Sequence, residues 1–141
     1  MTFFDQKYVL GHVGDSRTYL FREGQLRRLT RDHSFVQDQM DQNLITPAEA
    51  KGHSLRHVIL RAVGVDERLA VDLIRGRGLS GDLFLLCSDG LTDMVDDTAI
   101  HDVLSLSLDL PQKGERLIEL AKSYGGFDNI TLILCEIVSS L

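Results

Sequence analysis

Tryptophan is missing from the 141-residue chain, and cysteine and proline occur only twice each. No apolar run approaches the roughly 20 residues that a bilayer-spanning helix needs. The opening Met1-Thr2-Phe3-Phe4 does not follow the basic-then-apolar pattern of a secretory signal, so the expected compartment is the cytosol. With no Cys-x-x-Cys pair, a thiolate zinc site is excluded; Cys87 and Cys135 each lie in an apolar run and are expected to be buried, reduced thiols. A basic excess is also lacking. Fifteen Lys and Arg face 21 Asp and Glu, and the net charge of −6 disfavours nucleic acid and anionic membrane surfaces as partners. There are no repeats or low-complexity linkers, and 43% hydrophobic content suits one globular domain or part of one.

What is present is a set of carboxylates at the ends of apolar runs. Leu83-Phe84-Leu85-Leu86-Cys87 ends on Ser88-Asp89-Gly90-Leu91, and Gly125-Gly126-Phe127-Asp128-Asn129 opens onto Ile130-Thr131-Leu132-Ile133-Leu134-Cys135. One acid leaves a strand and the other enters one. If the two strands are antiparallel neighbours, Asp89 and Asp128 share a sheet edge. Asp15, in the Gly14-Asp15-Ser16-Arg17 turn, is a third acid of this kind. Hard oxygen donors beside glycines such as Gly90, which admit close backbone approach, are how proteins commonly hold Mg²⁺ or Mn²⁺. Asp beside Gly is also ordinary turn chemistry, so spacing alone does not assign a metal site.

The pattern between these turns alternates strands and helices. Tyr8 to Phe21 reads as an opening hairpin, and Glu23-Gly24 turns into a strand at 26–29. Ser34 to Asn43 has helical spacing, and Thr46-Pro47-Ala48-Glu49 is a capping box that starts a second helix ending near Gly52. Strands are expected at 58–60, 69–74, 83–87 and 130–135. Helices are expected from Asp96 or Asp97 to Leu104 and from Pro111 to Tyr124. The strands at Leu83 and Ile130 are apolar on both faces, so their sheet should be covered on both sides. The five histidines, His12, His33, His53, His57 and His101, are scattered. Only His33 attracts interest, and as a turn residue rather than a catalyst. Arg22, Arg27, Arg28 and Arg31 read as a solvated hairpin face; the role of Arg17 stays open between an acid and a phosphate.

The wording and order of six segments go further: Val13-Gly14-Asp15-Ser16-Arg17, Leu29-Thr30-Arg31-Asp32-His33-Ser34, Ile45-Thr46-Pro47-Ala48-Glu49-Ala50, Arg61-Ala62-Val63-Gly64, Ser88-Asp89-Gly90-Leu91 and Asp128-Asn129-Ile130-Thr131. Together they resemble the C-terminal part of the metal-dependent protein serine/threonine phosphatases, the protein phosphatase 2C (PPM) family, in its bacterial branch. The resemblance implies an α+β fold, a four-layer αββα sandwich of antiparallel sheets that is incomplete at the N-terminus. It makes residues 1–141 the C-terminal portion of one catalytic domain, with a flap at about 33–57. It also implies Mg²⁺ or Mn²⁺ as cofactor and a phosphoserine or phosphothreonine protein as substrate, hydrolysed by a metal-activated water.

By the same resemblance, Asp89 and Asp128 match two ligands of the catalytic metal pair. Asp15 matches the acid that, with Asp89, holds a third ion, and Asn129 and Gly90 support the site. No residue of the chain is assigned as catalytic. The family's phosphate-gripping arginine and its Asp-Gly-x-Gly-Gly turn have no match here, so the chain alone is expected to lack enough of the metal centre for activity. Uncovered core surface should then favour a dimer. The alternative function is a non-catalytic phosphatase-like module that binds a phosphoprotein or other partner.

Overall fold

A computed structural model describes residues 1–65 and 68–138. Among the described residues, seven strands form two antiparallel sheets. In the first, β1 (Thr2–Phe4), β2 (Lys7–His12) and β5 (Asp72–Arg77) lie in the order β1-β2-β5. In the second, β3 (Arg17–Arg22), β4 (Gln25–Arg28), β6 (Leu83–Cys87) and β7 (Leu132–Glu136) lie in the order β4-β3-β6-β7. Five helices accompany them among the described residues: α1 (Phe35–Asp41), α2 (Pro47–Gly52), α3 (Asp89–Thr92), α4 (Asp97–Ser105) and α5 (Leu110–Ser123).

Local chemistry accounts for most of the element ends. Glu23 and Gly24 both take positive φ, 50° and 72°, the two-residue turn that matches strand twist and closes the β3–β4 hairpin. Thr46 and Glu49 complete the expected capping box of α2, with Pro47 in its first turn. Asp96 caps α4, and Asp109 with Gln112 forms a second capping box on α5.

The sheets pack face to face through Tyr8, Leu20 and Phe84, joined by Ile74 and Leu86; Tyr8 meets Phe84 edge-on at 5.1 Å between ring centroids. On the other side of the second sheet, Tyr19, Leu83, Leu85 and Cys87 meet Ile100 and Leu104 of α4 and Leu117 and Ala121 of α5. Each fully buried leucine there contributes about 2 kcal/mol of transfer free energy. The outward face of the first sheet is open, with Leu73 61% exposed and Val71 exposed beside it. The described residues thus supply three of the four expected layers.

Several expectations need correction. Tyr8 to Phe21 is not a hairpin: β2 pairs with β1 and β5 while β3 pairs with β4 and β6, so the turn at Gly14 carries the chain from one sheet to the other. The strand expected at 69–74 is β5 at 72–77, because its partner β2 spans only 7–12, in the register Lys7↔Arg77 to His12↔Asp72. Residues 58–60 contribute a single bridge, Ser34↔Ile59, and not a strand; Val58, Ile59 and Leu60 have no sheet face to bury and are exposed. β7 is covered on one side only. As an edge strand it leaves Ile133 and Cys135 exposed, so Cys135 is not a buried thiol. Cys87 is buried as expected, and removal from water pushes its thiol up to about 12.

Candidate metal centre

β6 and β7 run antiparallel from Leu83↔Glu136 to Cys87↔Leu132, so Asp89 follows one strand and Asp128 precedes the other at a common edge. Ser88 fastens the two loops. Its N–H donates to the Thr131 carbonyl at 3.0 Å, its hydroxyl donates to the Asn129 carbonyl at 3.2 Å, and the same Oγ accepts the Thr131 N–H at 3.1 Å. That side-chain bond is why β7 begins at Leu132 and not at Ile130. Gly90 follows directly and is a site of close approach, since a Cβ built there would lie 2.3 Å from the Asn129 carbonyl oxygen. Asn129 engages the site through its backbone: its N–H donates to Asp128 Oδ1 at 2.6 Å and its carbonyl accepts from Ser88.

Asp15 reaches the same place from the turn between the sheets, where Gly14 takes φ 103°. A cleft of roughly 1120 Å³ is lined by Asp15, Asp89 and Asp128, with Val36, Met40, Pro47 and Ala50 of α1 and α2 among its other walls. Partial removal from water and the negative charge of Asp89 push the Asp15 carboxyl above its ordinary value. Asp93 is raised by the same two causes in the same order.

Two guanidiniums that line the cleft, Arg17 and Arg28, are held by Asp32. Arg17 Nη2 lies 2.8 Å from Asp32 Oδ2 with its Nε also donating, and Arg28 Nη2 lies 2.5 Å from Oδ1. Burial alone would lower the Arg17 guanidinium, but the bonds to Asp32 raise it further. Asp15, Asp89 and Asp93 form a cluster of like charge that Arg17 and Arg56 offset only in part at Asp93. An all-oxygen set of this kind fits a hard divalent cation such as Mg²⁺ or Mn²⁺. Among the described residues, no group of three or more His, Cys, Asp or Glu side chains is placed to hold a metal ion by itself.

No family model matches the chain. Relatives do. The serine/threonine phosphatase Stp of Listeria welshimeri is 42% identical over 128 residues, covering 91% of this chain and 51% of the relative. The serine/threonine protein phosphatase PstP of Mycobacterium tuberculosis is 41% identical over 136 residues, covering 96% of this chain and 26% of the relative. A crystal structure of PstP superposes with a TM-score of 0.91 at 39% identity, over 97% of this chain and 57% of that one. The PstP catalytic domain in complex with two manganese ions superposes at 0.88. In sequence and fold, the chain is similar to part of these bacterial serine/threonine phosphatases. It spans about half the length of the Listeria relatives it matches.

Within this scaffold, Asp15, Asp89, Asp128 and Gly90 line one cleft. Sequence reasoning missed Asp93, although it stands four residues after Asp89 and its N–H donates to the Asp89 carbonyl at 2.8 Å, as one helical turn requires. It also missed that three of the four hairpin arginines are paired: Arg22 with Asp82, Arg28 with Asp32 and Arg31 with Asp41. Their acids lie 60, 4 and 10 residues away in sequence, too variously spaced for charge patterning to reveal. His57, which follows α2, places Nδ1 3.9 Å from Asp93 Oδ2.

Proposed function

We propose that this chain is the C-terminal portion of the catalytic domain of a Mg²⁺/Mn²⁺-dependent protein serine/threonine phosphatase, with residues 33–57 as its flap. The observation that carries this reading is the meeting of Asp15, Asp89 and Asp128 in one cleft, with Asp15 pushed up by removal from water and then by the charge of Asp89. Asp89 and Asp128 would hold the catalytic metal pair, and Asp15 with Asp89 a further ion. When bound, the ions would supply a water of lowered pKa and neutralise charge developing at phosphorus.

The chain's own groups have positioning tasks. Ser88 keeps the Asp89 and Asp128 loops in register, Gly90 admits the Asn129 peptide, and Asn129 fixes one Asp128 oxygen through its N–H. α1 and α2 wall the cleft on one side, where a phosphoserine or phosphothreonine segment of a substrate protein would lie. A non-catalytic module is the weaker reading, because a binding surface without metal chemistry has no physical need for three crowded carboxylates. Free Cys87 and Cys135 suit a reducing cytoplasm, and no helix of the described residues is long and apolar enough to cross a membrane.

Two exposed apolar faces, Val71 with Leu73 and Ile133 on β7, make self-association of the isolated chain the expected behaviour. Sedimentation should give a dimer, and a monodisperse monomer contradicts that point. The function itself is tested by a chimera in which this chain replaces the segment it matches in the Listeria phosphatase. Mn²⁺-dependent hydrolysis of a phosphothreonine peptide that disappears with Asp89→Asn is the expected result. A folded chimera that is inactive, or whose activity survives Asp89→Asn, refutes the proposal.

A further inference from the structure

His33 is 3% exposed, and every polar group it owns is engaged. Its N–H donates to the Gly14 carbonyl at 2.8 Å, and its carbonyl accepts the Leu60 N–H at 2.7 Å. Its ring accepts the Gly14 N–H at Nδ1, 3.2 Å away, and meets Asp72 Oδ2 through Nε2 at 3.0 Å. A backbone N–H can only donate, so Nδ1 must be the unprotonated nitrogen and Nε2–H must donate to Asp72. Asp72 is held in turn by Arg61, whose Nη1 donates to Oδ1 at 2.9 Å. On the other side, the His12 ring packs against that of His33 at 4.9 Å and is itself fixed through Nε2 to the Arg31 carbonyl at 3.0 Å.

The consequence lies at Gly14. Both polar groups of the residue immediately before Asp15 are held by His33, one by its ring and one by its backbone, at a turn whose φ of 103° gives the peptide no strand partner. The same residue holds the stem of the flap through Leu60, next to the Ser34↔Ile59 bridge. Arg61, Asp72 and His33 therefore form a relay from the first sheet and the flap stem to the peptide that aims Asp15 into the cleft.

We propose that His33 is a positioning residue for Asp15, oriented by Asp72 and Arg61, so that the acidic cleft binds a divalent cation fully only while this relay is intact. The inference rests on the metal-centre reading for its second half only. Its test uses Asp72 because this side chain is 40% exposed, which makes its replacement milder than that of buried His33.

In Asp72→Ala, Nε2–H loses its acceptor. Hydrogen exchange of the Gly14 amide should accelerate at least tenfold, and Mn²⁺ affinity of the full chain should fall by roughly tenfold or more, as for other outer hydrogen-bond partners of metal ligands. Asp72→Asn, whose single carbonyl oxygen can still accept from Nε2 while its amide loses the Arg61 bond, should lose less than Asp72→Ala in both. In an Asp15→Asn background, Asp72→Ala should change the remaining Mn²⁺ affinity no further, whereas a general scaffold role gives the same loss in both backgrounds. Unchanged Gly14 exchange in Asp72→Ala, or equal Mn²⁺ losses with and without Asp15, overturns the proposal. If the wild-type chain takes up no Mn²⁺, the metal reading fails by itself, and Gly14 exchange still decides whether Asp72 orients His33.

Discussion

At the residue scale, Gly90 shows how little room the site leaves. The α3 backbone approaches the Asn129 peptide so closely that a methyl group would sit 2.3 Å from a carbonyl oxygen, and that oxygen belongs to backbone already bonded to Ser88. Neither side can yield without moving Asp89 or Asp128. Gly90→Ala should therefore cost about 2 kcal/mol in denaturant unfolding, within the usual range for overpacking, and should weaken Mn²⁺ binding as well. Stability and Mn²⁺ affinity equal to wild type would show that the two loops are not held against each other. The same pair of loops marks what was legible from sequence. Asp89, Asp128 and Asp15 could be singled out because each stands at one end of an apolar run, Asp89 and Asp15 directly beside a glycine and Asp128 two residues after one. The Ser88 staple could not, because a serine at a strand end has no distinctive pattern until its partners 41 and 43 residues away are known.

At the element scale, caps and turns were readable where their chemistry is local. The α2 capping box, with Thr46 Oγ1 accepting the Glu49 N–H and Glu49 Oε2 accepting the Thr46 N–H at 2.7 Å, is written in four consecutive residues. Thr46→Ala should lower stability by about 1 kcal/mol, with faster amide exchange confined to α2 and its neighbours. A change spread over β3 and β6 would mean that α2 folds as one with the core. Pairing was less readable. β2 and β3 look like a hairpin in sequence because a glycine turn joins two apolar stretches, but only tertiary packing decides that they face each other across the sandwich as members of different sheets. Cys135 fails for a related reason, because an alternating or apolar pattern does not reveal which strand ends up at an open edge.

At the scale of the whole molecule, Asp82 ties the two sheets together. Its carboxylate is 1% exposed and takes both donors of Arg22, at 2.7 and 2.6 Å, while Arg22 also donates to the Arg77 carbonyl of the first sheet. Burial alone would raise this carboxyl, but the bonds from Arg22 and from the Leu79 N–H outweigh it and hold it below its ordinary 3.8. A carboxyl depressed in the folded state contributes stability above its unfolded value and loses it as pH falls through the folded one. Asp82→Asn should therefore cost about 2 kcal/mol near neutrality, and the gap to wild type should close as pH falls below about 3.8. A gap that stays constant down to pH 2 would show that packing, not charge, is what Asp82 contributes. On the same scale, the open faces at Leu73 and Ile133 were foreseeable only in outline, as a missing layer; which side chains they expose follows from β7 lying at the sheet edge and β5 turning Leu73 outward.

Asp15 of the turn between the sheets, Asp89 at the start of α3 and Asp128 before β7 are proposed to act as one cation site. Titration of the chain with Mn²⁺, followed by electron paramagnetic resonance, tests it most directly when wild type is compared with Asp15→Asn, Asp89→Asn and Asp128→Asn. The account predicts saturable binding by the wild-type chain that each substitution weakens, Asp89→Asn most of all, because Asp89 is the neighbour whose charge acts on both Asp15 and Asp93. Binding that is absent from wild type, or equal in all four proteins, would contradict it.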